Sequence, residues 1–248
     1  MLSKIQVLLF GAILLSYMTS ALLYAMLTPR WQAPDEPAHY NYIHYLATQN
    51  GFPELVAECY NQIYLNELTS RRFPSELSVA PICYEFHQPP LYYLLATPIF
   101  RASDGSLLTL RLFSALFGAG TIITACLIGF TIFPNKLTIA YGMMAFVAFV
   151  PMHVAILTSV NNDALAGFIL AILLLLLLRR LLLTSPNLSI DHDLLLGGLL
   201  GLGLLTKTTI YIMVPLSTVA LWLAWRNGSK GWPALFKQMV TVYGVALL

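Results

Sequence analysis

The sequence predicts an all-α, polytopic transmembrane protein with a large external first loop. Of its 248 residues, 58% are hydrophobic and only 10% are charged, whereas a soluble domain carries about 25% charged residues because water must hydrate its surface. Long apolar runs supply the spans, and one long polar segment follows the first of them. The net charge of +2 gives no reason to expect a nucleic-acid partner. We therefore expect membrane lipids, rather than water, to surround much of the chain.

The first span is predicted at residues 5–27, which carry no charge and can cross about 30 Å of hydrocarbon. A cleaved signal peptide is the alternative, although no small-residue cleavage site closes the run. Residues 28–106 form a polar loop with 8 of the 11 acidic residues. Five to six further spans or half-spans are predicted within 107–248, from apolar runs at 107–133, 137–157, 164–183, 194–206, 209–225 and 236–248. We expect residues 1–248 to be one membrane domain, the N-terminal part of a longer chain.

The basic residues predict the orientation, because cytoplasmic loops are enriched in Lys and Arg. If the N-terminus with Lys4 is cytoplasmic, the 28–106 loop is external and the later basic residues fall inside. These are Lys136, Arg179, Arg180, Arg226, Lys230 and Lys237. Residues 89–101 are apolar, proline-flanked and too short to span, so we expect a helix lying at the interface. If they spanned, every later loop would invert.

The first polar cluster follows the first span, and its centre is the adjacent pair Asp35 and Glu36. Two neighbouring carboxylates repel each other, which favours protonation of one and ionisation of the other. A helix that begins near Pro37 would hold both acids at its N-terminus and bring His39 close to them. The alternative is that Asp35 only caps an interfacial helix.

The second polar cluster lies at the other end of the same loop and contains Glu85, His87 and Gln88. His87 is either a solvated loop residue or part of a polar cavity beside Asp35. Glu85 and His87, with His39 and His44, offer ligand types that bind a divalent metal ion, although their spacing does not specify a site. Cys59 and Cys83 share this loop and would form a disulfide on an oxidising side of the membrane, or stay reduced.

Three polar features lie in or beside later spans. Arg111 begins the second span, where snorkelling to the interface is the default explanation. Asn162 and Asp163 lie in the next external loop, where Asp163 is either a helix cap or a ligand contact. Lys207 interrupts an apolar run of 30 residues, and an intramembrane lysine is a functional candidate because it is costly unless paired or hydrated. A lipid-linked phosphate would be a natural partner for Lys207.

These segments together resemble the start of the C-type (GT-C) glycosyltransferases. The resemblance rests on Pro34-Asp35-Glu36-Pro37-Ala38-His39, His87-Gln88-Pro89-Pro90-Leu91-Tyr92-Tyr93, Arg111-Leu112-Phe113-Ser114, Ser159-Val160-Asn161-Asn162-Asp163-Ala164-Leu165 and Gly203-Leu204-Leu205-Thr206-Lys207. Within that superfamily the chain is similar to the protein O-mannosyltransferase and aminoarabinose transferase branch. It is more similar still to a bacterial set of membrane proteins, the DUF2142 group.

The resemblance implies an inverting enzyme of the bacterial plasma membrane whose site opens outward. Its donor would be a polyprenyl-phosphate sugar and its acceptor a glycan, lipid or protein. Asp35 would act as the base and Glu36 would orient or tune it. Arg111 and Lys207 would offset the charge of the phosphate. The remaining substrate-binding residues implied are His39, His87, Gln88, Asn162 and Asp163.

The sequence also departs from these relatives at two positions. Aminoarabinose transferases often carry Arg where this chain has Ala38, and Lys where it has Gln88, so two phosphate-binding cations are absent. Two alternatives to an enzyme follow, a transporter or flippase of lipid-linked saccharide and a non-catalytic membrane protein of the same fold. The acid pair lies in an external loop rather than at mid-membrane, which favours chemistry at the surface over alternating access.

Overall fold

The computed structural model describes residues 4–49, 51–182, 190–227 and 231–248. Lys230, one of the basic residues used to predict orientation, lies outside them. Within these ranges the chain is helical and contains no strand. The α-helices are α1 (Lys4–Leu27), α2 (Glu36–Thr48), α3 (Gln62–Ser70), α4 (Leu91–Ala102), α5 (Leu107–Ile132), α6 (Leu137–Phe149), α7 (Pro151–Leu157), α8 (Asp163–Leu182), α9 (Ile190–Leu204), α10 (Met213–Arg226) and α11 (Trp232–Ala246). Three 3-10 helices lie at Ala57–Cys59, Tyr84–His87 and Thr208–Ile212.

Four helical segments of the described chain are long and apolar enough to cross a membrane. They are α1, α5, α8 and the continuous stretch Thr208–Arg226. The α6–α7 pair would make a fifth span, although it bends by 64° between Phe149 and Pro151. Pro151 opens α7, where a proline has no N–H to continue the α6 ladder. The predicted all-α, polytopic fold is confirmed.

The apolar runs at 194–206 and 236–248 form shorter helices, α9 and α11, of 15 residues each. At 1.5 Å per residue each is about 22 Å long, which is shorter than the hydrocarbon core of about 30 Å. The break at Lys207 is also found, because α9 ends at Leu204 and the next 3-10 helix begins at Thr208. Lys207 itself has an extended backbone. The depth of Lys207 in the bilayer stays a prediction.

The chain divides into two compact units, 1–119 with 148–165, and 120–147 with 166–248. This division into units does not test whether the chain is a single membrane domain, which stays a prediction. The first unit contains the polar loop, in which α2, α3 and α4 provide the expected helices. The segment predicted to be a short helix at 89–101 is α4. Its position at the membrane interface stays a prediction.

Two features consolidate the polar loop of the first unit. Ala38, Leu68 and Ile82 form a small buried core beneath α2 and α3. A disulfide joins Cys59 to Cys83, so the bridge that the sequence left open is confirmed. Cys126 is buried and free, as expected of a packing residue. The small core and the disulfide therefore consolidate the described part of the loop between α1 and α5.

In the second unit, α9 and α11 pack with their backbones in close approach. A Cβ atom added at Gly197 would lie 2.4 Å from the carbonyl oxygen of Val242, and one at Gly201 would lie 2.8 Å from that of Ala246. Small residues spaced four apart are the usual means by which membrane helices approach closely. The glycines of this segment therefore set the α9–α11 contact.

Replacing Gly197 by alanine is expected to lower the free energy of unfolding by about 1–3 kcal/mol, because the new methyl group meets backbone that cannot move aside. Gly198→Ala is the matched control, since a Cβ there meets nothing within 4 Å and alanine favours helix. Thermal unfolding of the purified protein in detergent measures both. Equal melting temperatures for the two variants would contradict this account of the packing.

Candidate active site

A buried ion pair between Glu36 and Arg111 lies at the centre of the first unit. The two side chains are 0% and 4% exposed. Arg111 Nε donates to Glu36 Oε1 at 2.8 Å and Nη2 donates to Oε2 at 2.6 Å, a bidentate, charge-assisted arrangement. Glu36 Oε1 also accepts the backbone N–H of Val160 at 3.3 Å. The pair thus joins the start of α2, the start of α5 and the segment before α8.

Arg111 also binds the C-terminal end of α1. Its Nη1 donates to the carbonyls of Ala25 at 2.9 Å and Thr28 at 2.7 Å, and Nη2 donates to Pro29 at 3.2 Å. Carbonyls at a helix C-terminus lack intrahelical partners and attract a cation. A guanidinium has five N–H donors, and these contacts together with Glu36 engage all five.

This geometry bears on two expectations for Arg111, that it snorkels and that it binds a phosphate. Its side chain is enclosed by protein, so it does not snorkel outward as the default explanation holds. With every donor engaged, it has no N–H left for a phosphate, which argues against the phosphate-binding role that the resemblance implied. Arg111 instead holds the elements around the acid pair together.

Asp35 differs from its neighbour Glu36 in exposure, in backbone conformation and in hydrogen-bond partner. It is solvent-exposed and its backbone is left-handed, with φ 58°, a conformation that Asp tolerates better than most residues. It precedes α2, but its side chain makes no capping hydrogen bond. Asp35 is therefore the N-cap residue of α2 by position, as the alternative interpretation holds, but its side chain does not cap the helix. Its Oδ1 instead accepts a hydrogen bond from the Tyr84 hydroxyl at 2.8 Å.

Tyr84 was not predicted from the sequence, although it lies between Cys83 and the second polar cluster, which begins at Glu85. Burial raises the pKa of Tyr84, and the hydrogen bond to Asp35 and the charges of Asp35 and Glu85 raise it further. The phenol therefore stays protonated at neutral pH and remains a donor to the Asp35 carboxylate. This hydrogen bond could not be predicted from the spacing of residues in the sequence, because its partners are 49 residues apart.

His39 and His87 have different surroundings. His39 is buried, with its Nδ1 hydrogen-bonded to the Tyr93 hydroxyl at 2.8 Å. Tyr93 in turn stacks on Tyr42, with ring centroids 3.8 Å apart. His87 is exposed, and its Nδ1 donates to the carbonyl of Tyr84 at 2.8 Å. His39 thus belongs to the packed interior that supports the site, while His87 faces solvent beside Tyr84.

Gln88 connects the second polar cluster to the segment before α8. Asn162 is buried, and its Nδ2 donates to Gln88 Oε1 at 3.2 Å. Asp163 is the first residue of α8, but Asn161 supplies the capping oxygen, which accepts the N–H of Ala164 at 3.3 Å. The capping role suggested for Asp163 therefore belongs to Asn161.

Acidic charge accumulates around these residues. Burial raises the pKa of Tyr93 well above its usual value, and the charges of Glu85 and Asp163 contribute in the same direction. Glu85 and Asp163 therefore lie within electrostatic range of Tyr93. Among the described residues, no three His, Cys, Asp or Glu side chains converge to hold a metal ion. The suggested set of Glu85, His87, His39 and His44 is not brought together.

The predicted site residues are thus divided between the units. Lys207 belongs to the second. The others belong to the first, and they are Asp35, Glu36, His39, His87, Gln88, Arg111, Asn162 and Asp163.

Comparison with protein families matches residues 87–248 to dolichyl-phosphate-mannose-protein mannosyltransferases. The chain belongs to this family. Its membership makes the chain an integral membrane glycosyltransferase of the kind that uses a polyprenyl-phosphate sugar donor. The match includes Arg111 and Lys207, whereas Asp35 and Glu36 precede it. No curated protein matches the chain. The narrower resemblance to the DUF2142 group stays a prediction.

Replacing Arg111 by lysine is expected to lower the free energy of unfolding by about 3 kcal/mol, because three ammonium donors cannot replace a bidentate, five-donor guanidinium in a buried site. The matched control is Arg71→Lys. Arg71 pairs with Glu67 and Glu76 on the surface, where ion pairs contribute about 0–1 kcal/mol. Thermal unfolding and the yield of monodisperse protein report the difference, and similar losses in both variants would refute the structural role of Arg111.

Proposed function

We propose that this glycosyltransferase moves a sugar, with inversion, from polyprenyl phosphate to an acceptor hydroxyl on the external face of a bacterial plasma membrane. The observation that carries the proposal is the asymmetry of the acid pair. Glu36 is buried and neutralised by Arg111, whereas the adjacent Asp35 is exposed and aligned by Tyr84. A solvent-accessible carboxylate with a fixed orientation is suited to receive a proton from an acceptor.

In the proposed reaction the acceptor oxygen attacks the anomeric carbon from the face opposite the phosphate. The acceptor O–H bond breaks as its proton passes to the Asp35 carboxylate. The bond between the anomeric carbon and the phosphate oxygen breaks at the same time, and the lipid phosphate leaves with the electron pair. Inversion follows from this single displacement. Asp35 afterwards returns its proton to water.

The other predicted residues take supporting roles in this proposal. Glu36 acts as a positioning residue, since its pair with Arg111 fixes the chain that carries Asp35. This role agrees with the orienting role that the resemblance implied for Glu36. His87, Gln88, Asn162 and Asp163 would meet sugar or acceptor hydroxyls, for which imidazole, amide and carboxylate groups are suitable partners. Lys207 remains the proposed partner of the donor phosphate.

Two observations support the external side and the enzymatic function. The Cys59–Cys83 disulfide lies in the same loop as Asp35, and disulfides persist in oxidising compartments outside the cytoplasm. Family membership favours a transferase over a transporter or flippase of lipid-linked saccharide. A cytoplasmic N-terminus then follows if α1 crosses the membrane once.

Asp35→Asn is expected to lower sugar transfer by at least about 100-fold, because the amide cannot accept the proton. The full-length protein in nanodiscs would be given radiolabelled polyprenyl-phosphate sugars together with membrane extract as the acceptor source. Release of lipid phosphate and labelled product are both measured. Glu54→Gln, a change at an exposed acid of the same loop, is the matched control. An Asp35→Asn enzyme with full transfer would remove Asp35 from the mechanism.

Tyr84→Phe is expected to lower kcat by about 3–10-fold with little change in the acceptor KM, because it removes one hydrogen bond to a charged group. Tyr45→Phe is the control, a tyrosine of the same unit that packs on Phe86. An unchanged kcat in Tyr84→Phe would show that the hydroxyl does not act through Asp35.

A further inference from the structure

Two clefts in the first unit share a wall made by Tyr60 and Tyr84. One has a volume of 380 Å³ and is also lined by Glu58, Asn61 and Tyr64. The other has a volume of 490 Å³ and extends toward His87 over small apolar side chains. Both volumes fall within the range of about 300–1,000 Å³ that small-molecule sites occupy. Asp35 lines neither cleft, but the hydroxyl of the shared Tyr84 donates to its Oδ1 at 2.8 Å, so the proposed base lies one hydrogen bond from the wall.

The shared wall is held rigidly. The rings of Tyr60 and Tyr84 meet edge to face, with centroids 6.0 Å apart. Each tyrosine directly follows a half-cystine of the Cys59–Cys83 bridge. The backbone on both sides of the ring pair is therefore fixed before any ligand arrives, which reduces the ordering cost of binding.

The exposed groups in these clefts indicate the chemistry of a ligand. Tyr60 is 63% exposed, so its ring is an uncovered aromatic surface. The ring meets that of Tyr84, which is the hydrogen-bond partner of the proposed base Asp35. Glu58 is also exposed, and its carboxylate can accept from hydroxyl groups. Aromatic surfaces that bind apolar C–H groups, with a few polar groups that fix orientation, are suited to a sugar ring. Residues 51–102 contain no strand edge to which an extended peptide could add as a further strand.

We propose that the Tyr60–Tyr84 wall is the acceptor subsite and that the acceptor is a saccharide. This inference rests on the proposed function, because it takes Asp35 as the base. A sugar ring would pack on Tyr60 and direct one hydroxyl past Tyr84 to the Asp35 carboxylate. Glu58 would accept a hydrogen bond from a second hydroxyl. The wall would then select acceptors by their ring faces.

The test is binding of the full-length protein in nanodiscs to an array of defined oligosaccharides and of serine- and threonine-containing peptides. Tyr60→Ala should weaken saccharide binding by about fivefold or more, because it removes an aromatic contact. Tyr60→Phe keeps the ring and should retain most of the binding. Ile63→Ala is the matched control, since Ile63 is 84% exposed in the same loop and lines neither cleft.

Saccharide binding that Tyr60→Ala weakens and Ile63→Ala leaves unchanged would support the inference. The inference would be overturned if the protein bound no saccharide or bound only the peptides. It would also be overturned if Tyr60→Ala bound saccharides as tightly as the wild type. Release of lipid phosphate from the donor by the wild-type protein is measured in parallel. Donor release without saccharide binding would reject this subsite and leave the proposed function standing, whereas absence of donor release would count against the proposed function itself.

Discussion

The first unit depends on the interaction of one guanidinium with its five acceptors. Arg111 binds Glu36 and the last carbonyls of α1, and Glu36 in turn accepts the N–H of Val160. Four separate parts of the chain therefore meet at one buried pair. Breaking a buried pair by removing one partner leaves an uncompensated charge and costs about 3–5 kcal/mol. The geometry of the polar loop consequently depends on a residue that begins a membrane span.

This constraint also explains how two adjacent acids can have different surroundings. Because successive residues at a helix start point in different directions, Glu36 enters the protein while Asp35 stays at the surface. The left-handed backbone of Asp35 turns its side chain away from the helix end that it would otherwise cap. Backbone conformations of this kind are costly and often occur at functional sites. Glu36 thus serves the structure, and Asp35 stays exposed beside Tyr84, where we propose that it acts as the base.

Much of the fold could be predicted from the sequence, since lipid-facing helices require long apolar runs that are visible in one chain. The break at Lys207 and the short helix α4 could be predicted for the same reason. The site was harder to predict, because the folded structure decides which side chains pair with each other. An arginine at the start of a span has the same sequence pattern whether it snorkels or binds Glu36, which lies 75 residues away. The contact of Tyr84 with Asp35 and the capping by Asn161 depend in the same way on local geometry that spacing does not encode.

Asp35 is accessible to solvent, whereas Glu36 is enclosed by protein. Carboxyl labelling of the folded protein in nanodiscs, with a water-soluble carbodiimide and an amine, tests this difference directly when modified sites are assigned by fragmentation mass spectrometry. The account predicts that Asp35 is labelled at a rate similar to exposed acids such as Glu54, and that Glu36 is labelled only after unfolding. Equal labelling of Asp35 and Glu36 in the folded protein, or protection of Asp35, would contradict it.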